Sequence, residues 1–126
     1  MANILVMDDD RSIRDLIREA LERAGHRVIE AANGAAGLRA FEAEPFDLVI
    51  TDVLMPEREG IETIRAIRLR HAPVRILVIS GGGPHRQLDY LHVAEIFGAD
   101  RSLAKPFRPS ELLRAVDALL AAPPTR

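Results

Sequence analysis

At 126 residues the chain is long enough to bury a real core and short enough that one domain is expected. A net charge of −2, from 19 acidic and 17 basic residues, leaves no electrostatic footprint for nucleic acid or an anionic membrane surface; 48% apolar and 29% charged residues are ordinary for a globular protein. No apolar stretch is long enough to span a bilayer, and the absence of cysteine excludes disulfides and thiol chemistry and fits a reducing cytoplasm. Met1 to Leu5 runs straight into apolar sequence with no basic segment or cleavage site ahead of it. His26, His71, His85 and His92 are scattered and read as solvated.

Short apolar runs alternate with amphipathic stretches along the chain. Ile4-Leu5-Val6-Met7 predicts a buried strand, and Ile13, Leu16, Ile17, Ala20, Leu21 and Ala24 then recur at helical spacing. Ser12 with Asp15 resembles a capping box for this helix, and Gly25 suits the left-handed turn that ends it. Val28-Ile29 predicts a second strand, and Asn33-Gly34 opens a second helix that runs to about Glu44 and is closed by Pro45. Leu48-Val49-Ile50 is a third strand; Pro56 and Gly60 bound the loop before a helix of Ile61, Ile64, Ile67 and Arg68. After Pro73, Ile76-Leu77-Val78-Ile79 predicts a fourth strand, followed by Ser80-Gly81-Gly82-Gly83-Pro84 and a fourth helix from about Gln87 to Phe97 that stops at Gly98. Leu103-Ala104 is a minimal fifth strand, and Pro109-Ser110 starts a last helix carrying Leu112, Leu113, Val116, Leu119 and Leu120. Five strands alternating with five helices predict an α/β fold, a five-stranded parallel sheet covered on both faces. One domain is expected over residues 1–121, with 122–126 as a tail.

The chemistry lies just past the end of each strand. The first ends in Asp8-Asp9-Asp10, the third in Thr51-Asp52, the fourth in Ser80 and the fifth in Lys105-Pro106-Phe107. In a parallel sheet these groups meet at the carboxyl edge, where ligands bind near the switch in strand order. Lys105 is the only lysine against sixteen arginines. Its position therefore calls for a compact ammonium on a flexible stem, suited to a phosphoryl or carboxylate oxygen. Clustered carboxylates raise one another's pKa unless a cation holds them. Magnesium, which keeps several waters and needs only one or two carboxylates beside phosphate oxygens, fits better than calcium. An aspartate in such a place can act as nucleophile and form an aspartyl phosphate, with Ser80 donating to a phosphoryl oxygen and Lys105 neutralising charge. Taken singly, Asp9 or Asp10 reads equally well as a helix cap and Asp52 as a turn residue. Their joint placement after separate strands is what argues for a site.

This order of residues resembles the receiver domains of two-component response regulators. Asp8-Asp9, Asp52 with Met55-Pro56, Ser80 and Lys105-Pro106-Phe107 carry the resemblance, which covers about residues 3 to 121. It implies a doubly wound, flavodoxin-like fold with Asp52 as phosphoacceptor. It further implies a Mg2+ site of Asp9, Asp52 and the Leu54 backbone carbonyl, with Asp8 acting through water. Ser80 would be the switch hydroxyl, Lys105 its ion-pair partner, and the Lys105–Pro106 bond cis. Asp9 lies five residues before Arg14, the family's usual spacing, which leaves Asp10 as a solvated cap. The donor would be a sensor histidine kinase or histidine phosphotransfer protein, facing the first helix near Ile13, Arg14 and Ile17. An unknown downstream target would meet the last two helices. The chain would catalyse only its own phosphorylation and dephosphorylation.

Two departures from the family pattern stand out. Ser102 occupies the position, three before the lysine, where an aromatic residue usually changes rotamer on activation. The stretch from Ser80 to Lys105 is about three residues longer than usual and opens on a triple glycine, for which an order–disorder switch on phosphorylation is expected, with Tyr90 or Phe97 as substitute aromatics. Open space beside Gly81, and no side chain at Leu54 or Gly82 able to position water, predict a phosphoryl group that is slow to hydrolyse. With nothing after the last helix, a stand-alone receiver is expected. Two rivals are a haloacid-dehalogenase-type phosphohydrolase, with Asp8-x-Asp10-x-Ser12 as its signature and Asp8 as nucleophile, and a receiver-like binding module that is never phosphorylated.

Overall fold

Strands β1 (Asn3–Met7), β2 (Arg27–Ala31), β3 (Leu48–Asp52), β4 (Arg75–Ser80) and β5 (Arg101–Ala104) form one parallel sheet in the order β2-β1-β3-β4-β5. The computed structural model describes residues 1–52, 59–70, 74–80 and 99–122, with 59–61 and 80 described by backbone alone. Helices α1 (Arg11–Arg23), α2 (Gly34–Ala43), α3 (Glu59–Leu69) and α4 (Pro109–Ala121) are seen among these residues. The predicted helix at Gln87–Phe97, the glycine run at 81–83 and the Leu54 and Met55-Pro56 positions lie outside them.

The two-residue period of a strand sorts the core into two layers. Ile4, Val6, Leu48, Ile50, Leu77 and Ile79 point to one face, where they meet Ile17 and Leu21 of α1 and Leu112 and Val116 of α4. Leu5, Met7, Val49, Ile76 and Val78 point to the other, against Ile64 and Ile67 of α3 with α2 alongside. Each of these strand residues is at most 1% exposed, as a doubly covered parallel sheet requires. Burying each large aliphatic side chain stabilises the fold by roughly 1.5–3 kcal/mol before entropy is counted.

Local signals fix the helix ends. Gly25 takes φ +94, which an L side chain rarely adopts, and turns the chain from α1 toward β2. Asn33 caps α2 by accepting from Ala36 N at 2.8 Å, while the Glu111 carboxylate accepts from Arg108 N at 2.9 Å and Pro109 opens α4. The sequence offers two caps for the start of α1, and the structure uses the second. Asp10, not Ser12, is its N-cap, with extended backbone and a carboxylate that accepts from Ser12 N at 2.9 Å. The apolar stripe of α1 is also narrower than its spacing suggests, for Ile17 and Leu21 are buried but Leu16 is 38% exposed.

Helix α2 lies close over β1 because Gly37 has no side chain. A Cβ there would overlap Met7 Sδ and lie 2.7 Å from Met7 Cγ, deep in the core. Gly37→Ala gains about 1 kcal/mol of helix propensity but overpacks by roughly 1–3 kcal/mol. A net loss on the order of 1 kcal/mol is expected, measured as a lower urea midpoint.

Candidate functional site

The switch in strand order falls at β1 and β3, and the carboxyl ends of these two strands carry the acidic residues. Asp8 follows β1 and is 1% exposed; Asp52 closes β3 and is 4% exposed. The exposed Asp9 completes a group in which one carboxylate oxygen from each of the three residues lies within 4.8 Å of the others. Lys105, one residue beyond β5, reaches back across the sheet edge. Its Nζ donates to Asp52 Oδ2 at 2.7 Å and to Asp8 Oδ2 at 3.2 Å. The Lys105–Pro106 peptide is cis. In the β4–β5 register Ser80 stands opposite Ala104, the residue before Lys105, so its backbone shares this edge.

Every polar atom of Asp8 is in use. Its N–H donates to Ala31 O at 3.2 Å, Oδ1 accepts from Asp10 N at 2.8 Å, Oδ2 accepts from Lys105, and its carbonyl accepts from Arg14 Nη1 at 2.7 Å. Burial, opposed by the Asp10 amide and reinforced by the charge of Asp52, pushes the Asp8 carboxyl up to about 6. Burial by itself would lower the Lys105 ammonium, but the hydrogen bond and charge of Asp52, and then those of Asp8, more than offset it and hold lysine above its usual range.

Three carboxylates against one ammonium leave two negative charges in a partly buried pocket. An all-oxygen donor set of this charge fits a hydrated magnesium ion and falls short of what calcium takes. Among the sequence-predicted residues, Asp8, Asp9, Asp52 and Lys105 are thus brought together. Asp10 caps the helix, as expected, the Ser80 hydroxyl and the Leu54 carbonyl are outside what the structure describes, and Ile17 is fully buried in the core. Sequence reasoning gave no role to Glu30, which accepts from Arg14 and Arg18 beside the acidic pair. The four-residue spacing of Arg14 and Arg18 on one face of α1 was the available signal.

The comparisons with known proteins agree with this geometry. The family profile "Response regulator receiver domain" matches residues 4–117. The transcriptional regulatory protein CpxR of Escherichia coli is 38% identical over 120 residues, covering 95% of this chain and 50% of CpxR. The alkaline phosphatase synthesis transcriptional regulatory protein PhoP of Bacillus subtilis is 37% identical over 117 residues, covering 93% and 48%. The chain therefore spans about half the length of the curated relatives it matches. The chemotaxis response regulator CheY4 of Vibrio cholerae superposes with a TM-score of 0.85 at 31% identity, covering 94% of this chain and 98% of CheY4. A CheY-like receiver domain protein of Methanospirillum hungatei gives 0.86 at 29% identity, covering 95% and 94%. With its 2-1-3-4-5 parallel sheet and the pocket of Asp8, Asp9, Asp52 and Lys105, the chain belongs to the response regulator receiver domain family.

Proposed function

We propose that residues 1–121 form a receiver that takes a phosphoryl group from a histidine kinase or histidine phosphotransfer protein onto Asp52. The supporting observation is the 2.7 Å contact between Lys105 Nζ and Asp52 Oδ2 beside the Asp8–Asp9 pair. In the transfer, a carboxylate oxygen of Asp52 attacks phosphorus, the P–N bond to the donor imidazole breaks as the P–O bond forms, and the imidazole nitrogen keeps the electron pair. The Lys105 ammonium orients the Asp52 carboxylate beforehand and follows the charge that passes to the acyl phosphate. A magnesium ion at this site would be held by Asp9, Asp52 and the Leu54 carbonyl, and would supply positive charge to the transferring phosphoryl oxygens. Asp8, whose two carboxylate oxygens accept from Asp10 N and Lys105 Nζ, would act on such an ion through water. The Ser80 hydroxyl donates to the phosphoryl group and couples it to the change that a downstream target reads. No described helix is long and apolar enough to cross a membrane.

Incubation with acetyl phosphate and then intact mass measurement tests this reading. Wild type should gain one phosphoryl group only when Mg2+ is present, and Asp52→Asn should gain none. Labelling of Asp52→Asn at the wild-type yield would overturn the assignment.

A further inference from the structure

We propose that Arg14, braced by Glu30, is a positioning residue for the acidic pair: its guanidinium fixes the peptide joining Asp8 to Asp9 and thereby sets the metal affinity of the site. The inference rests on the magnesium site proposed above and adds to it the device that holds its ligands in place.

The need for such a device arises from where the sheet ends. The β1–β2 ladder closes at Met7 opposite Ala31, and the Asp8 amide makes one further bond to Ala31 O. In a continuing parallel ladder the Asp8 carbonyl would meet the next amide of the neighbouring strand. β2 stops at Ala31, and the chain turns at Asn33 into α2. Arg14, one turn into α1, takes the place of that amide by donating from Nη1 to Asp8 O at 2.7 Å.

Arginine fits this role because its fork serves two acceptors in one plane. While Nη1 holds the carbonyl, Nε donates to Glu30 Oε1 at 3.3 Å; the other oxygen of Glu30 accepts from Arg18 Nη1 at 2.7 Å. The Arg14 and Glu30 side chains are only 15% and 22% exposed, so this is not a solvated surface pair. The exposed Asp9 depends on the peptide ahead of it for its position, and the Arg14 contact orients that peptide. Outer partners of this kind commonly change metal affinity by about 10–100-fold when removed.

Mg2+ titration by calorimetry on the folded 126-residue chain tests the proposal, with circular dichroism confirming that each variant is folded. Removing a cation near three carboxylates would, by charge alone, strengthen Mg2+ binding. The positioning role predicts the opposite sign: Arg14→Gln should weaken binding about tenfold. Arg14→Lys should recover part of the loss, since an ammonium reaches the carbonyl or Glu30 but not both. Glu30→Ala should weaken binding more than Glu30→Gln, and Arg23→Gln, at the far end of α1, should leave it unchanged. The amide resonances of Asp9 and Asp10 should shift in Arg14→Gln. Unchanged or tighter binding in both Arg14→Gln and Glu30→Ala, with wild type binding normally, overturns this inference and leaves the magnesium site standing. Failure of wild type to bind Mg2+ overturns both. If Arg14→Gln does not fold, the comparison of Glu30→Ala with the equally uncharged Glu30→Gln decides the matter, and equal binding in the two overturns the inference.

Discussion

Asp100→Ala should lower stability by about 1–3 kcal/mol, because it removes the carboxylate that accepts from a half-buried guanidinium and from the Ile76 amide. Arg68, at the end of α3, donates from Nη2 to Asp100 Oδ2 at 2.6 Å and from Nη1 to the Val74 carbonyl, and the two side chains are only 11% and 13% exposed. The same Asp100 oxygen accepts from Ile76 N at 2.8 Å, while Asp100 N donates to Ile76 O at 2.9 Å. One carboxylate therefore ties α3, the start of β4 and the chain entering β5. Urea unfolding should show the loss as a lower midpoint with little change in slope. Arg68→Met with Asp100→Leu should cost less than Asp100→Ala alone, since the half-buried guanidinium is then removed together with its carboxylate. Equal losses in the single and the double variant would contradict the pairing.

Asp8→Asn should gain stability relative to wild type as pH rises from about 4 to about 7 in metal-free protein, by on the order of 2–3 kcal/mol. The sign comes from linkage. Asp8 titrates near 3.8 when unfolded and at about 6 when folded, so between these values the folded chain binds more protons and its stability falls with rising pH. Well below 3.8 the carboxyl is protonated in both states and contributes no slope. Excess Mg2+ should narrow the gap at pH 7, because binding to the folded state stabilises it by mass action and the cation favours the ionised carboxylate. A difference that stays flat with pH would show that Asp8 keeps an ordinary carboxylate pKa.

The strands were legible because doubly covered strands are apolar on consecutive residues. Ile4 to Met7, Leu48 to Ile50 and Ile76 to Ile79 all pair where their composition says they should. β5 was harder, since Arg101–Ala104 has a mixed edge pattern and only Leu103-Ala104 stands out. Asp8, Asp9, Asp52 and Lys105 were legible from their order after separate strands, which topology turns into proximity. The Arg68–Asp100 pair was not, because polar residues at helix and strand ends look solvated, and 32 positions separate the partners. Glu30 was missed for the same reason. Asp10 displaced Ser12 as cap because the chain leaves β1 at Met7, and Asp10 holds the extended conformation from which its carboxylate reaches Ser12 N. Exposure of Leu16 beside buried Ile17 shows that helical spacing finds the core face but not its edges.

The carboxylate held by Lys105 at the end of β3 is, on this account, where phosphorus becomes bonded. Chemical reduction of the acyl phosphate after acetyl phosphate and Mg2+ treatment, with peptide mass mapping of the product, locates that bond directly. The modified residue should be Asp52, in the peptide that leaves β3. Modification at Asp8 would instead mark the haloacid-dehalogenase chemistry and contradict the receiver mechanism.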